Sequence, residues 1–201
     1  MLLEVEGSQL VLVDYQTRLM PALFQADLCV ANAMRLAQAA RLLGVPTWGT
    51  EQNPEKLGPN PPEMKALCRQ TLAKMHFSAC EEGLVEWLRP AVPAKPAGNA
   101  RSLPKHLQKP PAPAEASSAI VVAGFEAHVC LLQTALDLLD EEFEVWVVTD
   151  ACTSRTERNR DAAYDRLAAA GAELLTTEMV LFEWLRSAEH PQFKAVQALI
   201  K

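Results

Sequence analysis

The stretch from Ala119 to Leu136 constrains the fold more than any other. It opens as Ala119-Ile120-Val121-Val122-Ala123, a short apolar run rich in β-branched residues, which predicts a buried strand. Gly124 punctuates it. From Val129 the spacing turns helical, with Val129, Leu132, Leu136 and Leu139 at intervals of three and four. A strand thus feeds a turn and the turn feeds a helix, with Cys130 expected in its first turn. N–H groups at a helix start are unpaired and carry partial positive charge, which favours a thiolate. On position alone, Cys130 is either a nucleophile or a small buried apolar residue.

The same grammar repeats along the chain. Gln9–Asp14 is an apolar run ending on a carboxylate. A helix is expected from an Asp27 cap to Leu43, stopped by Gly44 with Pro46 beyond it. Val45–Thr50 and Thr71–Met75 read as short strands, separated by a loop over 51–62 with four prolines. Ser78 and Glu81 suggest a capping box for a helix over 79–88. Strands at Glu144–Asp150 and Glu173–Thr176 flank a helix over 156–170 stopped by Gly171. Thr176 or Thr177 caps a helix over 178–186, and Pro191 opens a last one to Leu199. Apolar strands alternating with helices imply an α/β fold, a three-layer α-β-α, Rossmann-like arrangement around a mostly parallel six-stranded sheet. Sites in such sheets form at the carboxyl ends of strands, where strand order reverses. That expectation brings Asp14, the Thr50–Gln52 segment, Lys74 and Gly124–Cys130 to one rim.

Residues 90–113 differ in composition, holding seven of the chain's 14 prolines and several basic residues. The expectation is one domain over 1–201, with a Pro-rich surface insertion at about 90–118. A net charge of −6 argues against a nucleic-acid partner, and no apolar run approaches a membrane span. The N-terminus lacks the basic region of a targeting peptide. Five scattered cysteines, odd in number and outside C-x-x-C pairs, fit reduced thiols, so the expected location is cytoplasmic, with mitochondria left open.

Each candidate group has a bland alternative. Asp14 can be a base or a strand-end cap, and Lys74 can be a site cation or an ordinary surface lysine. His128 stands two residues before Cys130, but neighbours in a tight turn need not touch. Glu51, Gln52, Asn53 and Glu55 include no histidine to help bind a metal. Cys29, Cys68, Cys80 and Cys152 read as packing residues. Neither a dinucleotide fingerprint nor a Walker loop is present. The Gly124–Cys130 turn has the strand–turn–helix logic of a nucleophile elbow, with sulfur in place of oxygen.

Taken in order, Leu10–Gln16, Thr50–Pro54, Lys74–Ser78 and Gly124–Cys130, followed by Val148–Arg155 and Thr177–Glu183, resemble the motifs of isochorismatase-like cysteine hydrolases. Within that family the Glu126-Ala127-His128 segment is most similar to the isochorismatase-domain proteins of animals and protists and their bacterial relatives. The resemblance implies a catalytic triad at Asp14, Lys74 and Cys130. It also implies a cis peptide at Phe125–Glu126 and an oxyanion hole from the backbone N–H groups of Glu126 and Cys130. Gln16, Gln52, Phe77 and Trp184 are the expected pocket residues. A cysteine at position 130 favours the amidase branch: hydrolysis of a small amide or related acyl compound through a thioester. The metal-binding aspartate and histidines of nicotinamidases have no match here, so no metal and no cofactor are expected. Family likeness also implies a homo-oligomer acting on a small-molecule substrate. Two readings compete with the hydrolase: a non-catalytic interaction protein docking through the Pro-rich insertion, and a thiol redox sensor.

Overall fold

The computed structural model describes residues 1–89 and 119–201, so the expected insertion lies outside the described residues. The chain runs β1 (Ser8–Val13), α1 (Ala26–Leu43), β2 (Thr47–Gln52), α2 (Pro54–Leu57), α3 (Pro62–Lys65), β3 (Gln70–Lys74) and α4 (Leu84–Leu88). After residue 118 come β4 (Ala119–Gly124), α5 (Leu132–Asp140), β5 (Glu144–Val148), α6 (Glu157–Ala170), β6 (Glu173–Leu175), α7 (Thr177–Leu185) and α8 (Phe193–Gln197). All strand pairs are parallel, in the order β3-β2-β1-β4-β5-β6. Strand order reverses between β1 and β4. Right-handed crossovers then put α1 on one face and α5 on the other. α7 and α8 pack on α1, and α6 packs on α5. None of the described helices is long and apolar enough to cross a membrane.

Every residue of β1 and β4 is buried, which explains why both read as continuous apolar runs rather than alternating ones. Their ends approach closely. A Cβ on Gly124 would stand 2.6 Å from Val13 Cβ and 2.7 Å from Val13 O. Only glycine admits that contact, and Phe125 N–H then donates to the same Val13 carbonyl at 3.0 Å.

Local chemistry shifted several boundaries. The α1 cap position falls on Gln25, in the left-handed region, and Asp27 instead supplies negative charge in the first turn. Gly44 ends α1 as expected, with φ 78°. Val45 N–H is still engaged with Ala40 O at 2.8 Å, so β2 starts and ends two residues later than the apolar pattern implies. The expected helix over 79–88 is broken into a 3-10 turn over Cys80–Glu82 and the short α4, because Gly83 adopts φ 97°. Ser78 Oγ accepts from Cys80 N–H at 3.2 Å. Thr176 proves to be the α7 cap, accepting from Met179 N–H.

The five cysteines are all free thiols. Burial pushes Cys29 and Cys68 up to about 11 and Cys80 up to about 12. Each thiol is raised above its ordinary 9.0, so the folded state holds more protons than the unfolded chain at alkaline pH. This stability is fully present below pH ~9 and is lost as pH rises toward ~12. Urea midpoints should therefore be flat from pH 7 to 8.5 and fall steadily from pH 9 to 11. The Gly124→Ala substitution should destabilise by about 1–3 kcal/mol through overpacking at the β1–β4 junction, measured by the same titration at pH 7.

Candidate active site

Strand register builds the site. Gln52 is the in-register partner of Lys74, and Thr50 pairs with Val13, the residue before Asp14. Thr50 and Gln52 lie two apart and so share one face of β2, while Glu51 points to the other. Thr50 Oγ1 donates to Asp14 Oδ1 at 2.7 Å. Lys74 Nζ donates to Asp14 Oδ2 at 2.8 Å and to Gln52 Oε1 at 2.7 Å. It also reaches the carbonyls of Phe77 at 2.9 Å and His76 at 3.4 Å. Both side chains of the Lys74–Asp14 pair have zero exposure. Every neighbour of Nζ is an acceptor only, so Lys74 is an ammonium.

Cys130 approaches this pair from the other side of the strand reversal. Its sulfur stands 4.0 Å from Gln52 Oε1, the outer limit for a thiol donor. The expected easy ionisation at a helix start is overturned. Cys130 lies in a wide, π-helical turn, Ala127–Leu131, that precedes α5. Burial, followed by the negative charge of Asp14, pushes the thiol up to about 12, with Lys74 acting the other way. Sequence brought Asp14 and the turn to one rim but did not show how deeply the sulfur is buried.

The expected cis peptide at Phe125–Glu126 is also overturned: among the described residues every peptide bond is trans. The chain reverses instead through Glu126 at φ 49°. Ala127 N–H donates to Thr153 O at 2.9 Å, and Thr153 N–H returns to Gly124 O at 3.3 Å. Arg155 Nε donates to Glu126 Oε1 at 2.9 Å. His128 Nδ1 lies 3.0 Å from Ser154 Oγ. His128 therefore faces the 153–155 segment, and the turn is laced to the strand-end segment after β5.

The expected pocket residues separate. Gln16 is fully buried and engaged with backbone groups. Its Nε2 donates to the carbonyls of Gln52 and Gly58, and its Oε1 accepts from Gln52 N–H at 2.8 Å. Trp184 is 1% exposed and donates through Nε1 to Ser8 Oγ at 3.2 Å, at the amino end of β1 and so at the opposite edge of the sheet. Its aromatic character suggested a pocket wall, but it is a core residue. Phe77 is exposed and lines a cleft of about 600 Å³ with Met75, Gln133, Leu136 and Arg166, while its carbonyl holds Lys74. Gln52 does face the site. Glu51 turns away to accept from Asn60 N–H and to pair with Lys65 at 2.9 Å. Thr50 as a ligand of Asp14 was missed, although its place at the end of the strand beside β1 was the available signal.

Residues 8–179 match the isochorismatase domain model. Isochorismatase domain-containing protein 2 of Bos taurus is 38% identical over 97% of this chain and 83% of that protein. Among solved structures, a MAR1 ribonuclease from Caenorhabditis elegans superposes with TM-score 0.82 at 30% identity, covering all of this chain and 92% of that one. The YcaC gene product of Escherichia coli, described as an octameric hydrolase of unknown specificity, superposes with TM-score 0.79 at 26% identity, covering 98% and 87%. The parallel sheet, the strand-end cluster and these matches together make the chain a member of the isochorismatase domain family, a family of hydrolase fold.

Proposed function

We propose that the protein is a cysteine hydrolase that cleaves a small amide or related acyl compound through a thioester on Cys130. The observation that carries this reading is the buried Lys74–Asp14 ion pair beside the Cys130 sulfur. An acid with one oxygen on an ammonium and the other on a hydroxyl, adjacent to a thiol, is a general base held in place. In this reaction Asp14 takes the Sγ proton as sulfur attacks the carbonyl carbon. The C–N bond breaks, and the proton passes from Asp14 to the departing amine. Asp14 then takes a proton from water, which attacks the thioester, and the thiol is restored. The developing oxyanion is assigned to the backbone N–H groups of Glu126 and Cys130. Ala127 and Val129 spend theirs on Thr153 O and Glu126 O.

A thiol near pKa 12 fits this scheme better than a preformed thiolate. The sulfur loses its proton to Asp14 in the step that uses it, so the resting protein presents little thiolate to stray electrophiles. A small molecule suits a site framed by buried groups from four strand ends. The net charge of −6 does not favour a polyanionic substrate. A homo-oligomer is the proposed assembly, supported by the octameric state of the related Escherichia coli protein.

Across a panel of small aliphatic and aromatic amides, the wild type should release ammonia or amine, and Cys130→Ala should lower the rate at least about 1000-fold. Equal rates in both would remove sulfur from the reaction. The Lys74→Met variant strips Asp14 of its partner in a buried setting. It should abolish turnover and lower stability by about 3–5 kcal/mol, read from the urea midpoint.

A further inference from the structure

Gln52 is oriented without ambiguity. Its Nε2 donates to Met75 O at 2.8 Å, a pure acceptor, and its Oε1 faces Lys74 Nζ, a pure donor. Rotating the amide would set donor against donor and acceptor against acceptor. Its backbone is fixed as firmly, because Gln16 grips both Gln52 N–H and Gln52 O with one fully buried amide. The negative end of the Gln52 amide dipole is therefore held between the ammonium and the sulfur, 2.7 Å from one and 4.0 Å from the other.

We propose that Gln52, braced by Gln16, is a positioning residue that turns the Lys74 ammonium toward Asp14 and away from Cys130, keeping the sulfur protonated until substrate enters. The proposal deepens the cysteine-hydrolase reading and rests on Cys130 as its nucleophile. Its physical content is a competition for one cation. The charged groups acting on the sulfur are Asp14 and Glu126, which disfavour thiolate, and Lys74, which favours it. Lys74 has four acceptors within 3.4 Å, so its three protons are already committed. Removing the Gln52 oxygen leaves the third Lys74 proton only the long 3.4 Å contact to His76 O and deletes a negative dipole beside the sulfur, and both changes favour thiolate. The same change loosens the lysine that orients Asp14, and the hydrolytic step suffers.

The test reads thiol reactivity separately from turnover. The rate of Cys130 alkylation by iodoacetamide is followed by peptide mass spectrometry from pH 6 to 10, in wild type, Gln52→Met, Gln52→Glu and Gln16→Met. In Gln52→Met, alkylation at pH 8 should rise about tenfold, as expected for a thiol pKa lowered by one unit. In Gln52→Glu it should fall below wild type, because the acceptor is retained and a negative charge is added. Gln16→Met should move in the same direction as Gln52→Met, by less. Hydrolysis of any amide the wild type accepts should fall in all three. A residue serving only for packing would shift both Gln52 variants the same way, and that result, or alkylation unchanged in Gln52→Met, overturns the proposal. If Gln52→Met does not fold, Gln52→Glu decides: alkylation equal to or faster than wild type overturns it. Full turnover in Cys130→Ala would instead reject the parent reading, whatever the alkylation rates show.

Discussion

The rim of the sheet is organised by one expensive interaction, the Lys74–Asp14 pair, with no exposure on either side chain. Taking two charges out of water costs several kcal/mol per ion, and Coulomb attraction alone does not reliably recover it. Such a pair persists when its remaining hydrogen-bond capacity is filled. Here Thr50 fills the second oxygen of Asp14, while Gln52, Phe77 O and His76 O complete the ammonium shell. Residues from β1, β2, β3 and the segment after β3 are thereby fixed relative to one another. An apolar pair of equal volume would pack the same sheet more cheaply, so the arrangement makes sense as chemistry rather than as scaffolding.

Backbone strain gathers at the same edge. Asp14, Asn53 and Glu126 all adopt positive φ, at 55°, 37° and 49°, just beyond the ends of β1, β2 and β4. Non-glycine residues in that region cost of order 1 kcal/mol or more each, and they survive only where surroundings dictate them. Asp14 N–H still donates to Thr50 O, continuing the ladder one residue past the strand. Beneath, Tyr15 is fully buried, hydrogen-bonds through its hydroxyl to Ala151 O and packs on Phe125 with ring centroids 4.7 Å apart. The Asp14 carboxylate and the Glu126 turn thus lie beside a common rigid aromatic plug, which resists relaxation of either strained residue.

The fold was legible because its signals are one-dimensional. Apolar runs, glycine stops at Gly44 and Gly171, and the threonine cap of α7 can all be read along the chain. The site was legible only as a set of residue types at strand ends. Gln16 and Trp184 show where that stops. Both are large polar or amphipathic side chains in family-like segments, and both looked like pocket walls. Whether such a side chain faces a cavity or satisfies a backbone group depends on what distant segments are brought beside it, for Gln16 by the register of the neighbouring strand. Gln16 meets Gln52 because β1 and β2 pair Val13 with Thr50, a fact no local pattern contains. The thiol's protonation failed for a related reason. A helix start announces itself in sequence, and Asp14 could be placed on the same rim, whereas the burial that raises the thiol could not be read there.

An edge strand that carries a buried cation raises a structural question of its own. Among the described residues β3 pairs only with β2, and much of it is exposed, yet Lys74 at its end is completely buried. Edge strands fray, since one side of their ladder is open to water. The site counters fraying at the one point where it matters. Gln52 pairs in register with Lys74 and also bonds Met75 O, while Asn53 N–H takes Lys74 O at 2.9 Å. Glu82 then receives Met75 N–H and His76 N–H at 3.1 and 3.3 Å, locking the turn whose carbonyls hold the ammonium. The His76 ring, 2.8 Å from the same oxygen, and then these two backbone bonds lower the Glu82 carboxyl to about 2. This edge strand is therefore anchored by the cluster it supplies, and loss of that cluster should loosen the edge before it disturbs the centre.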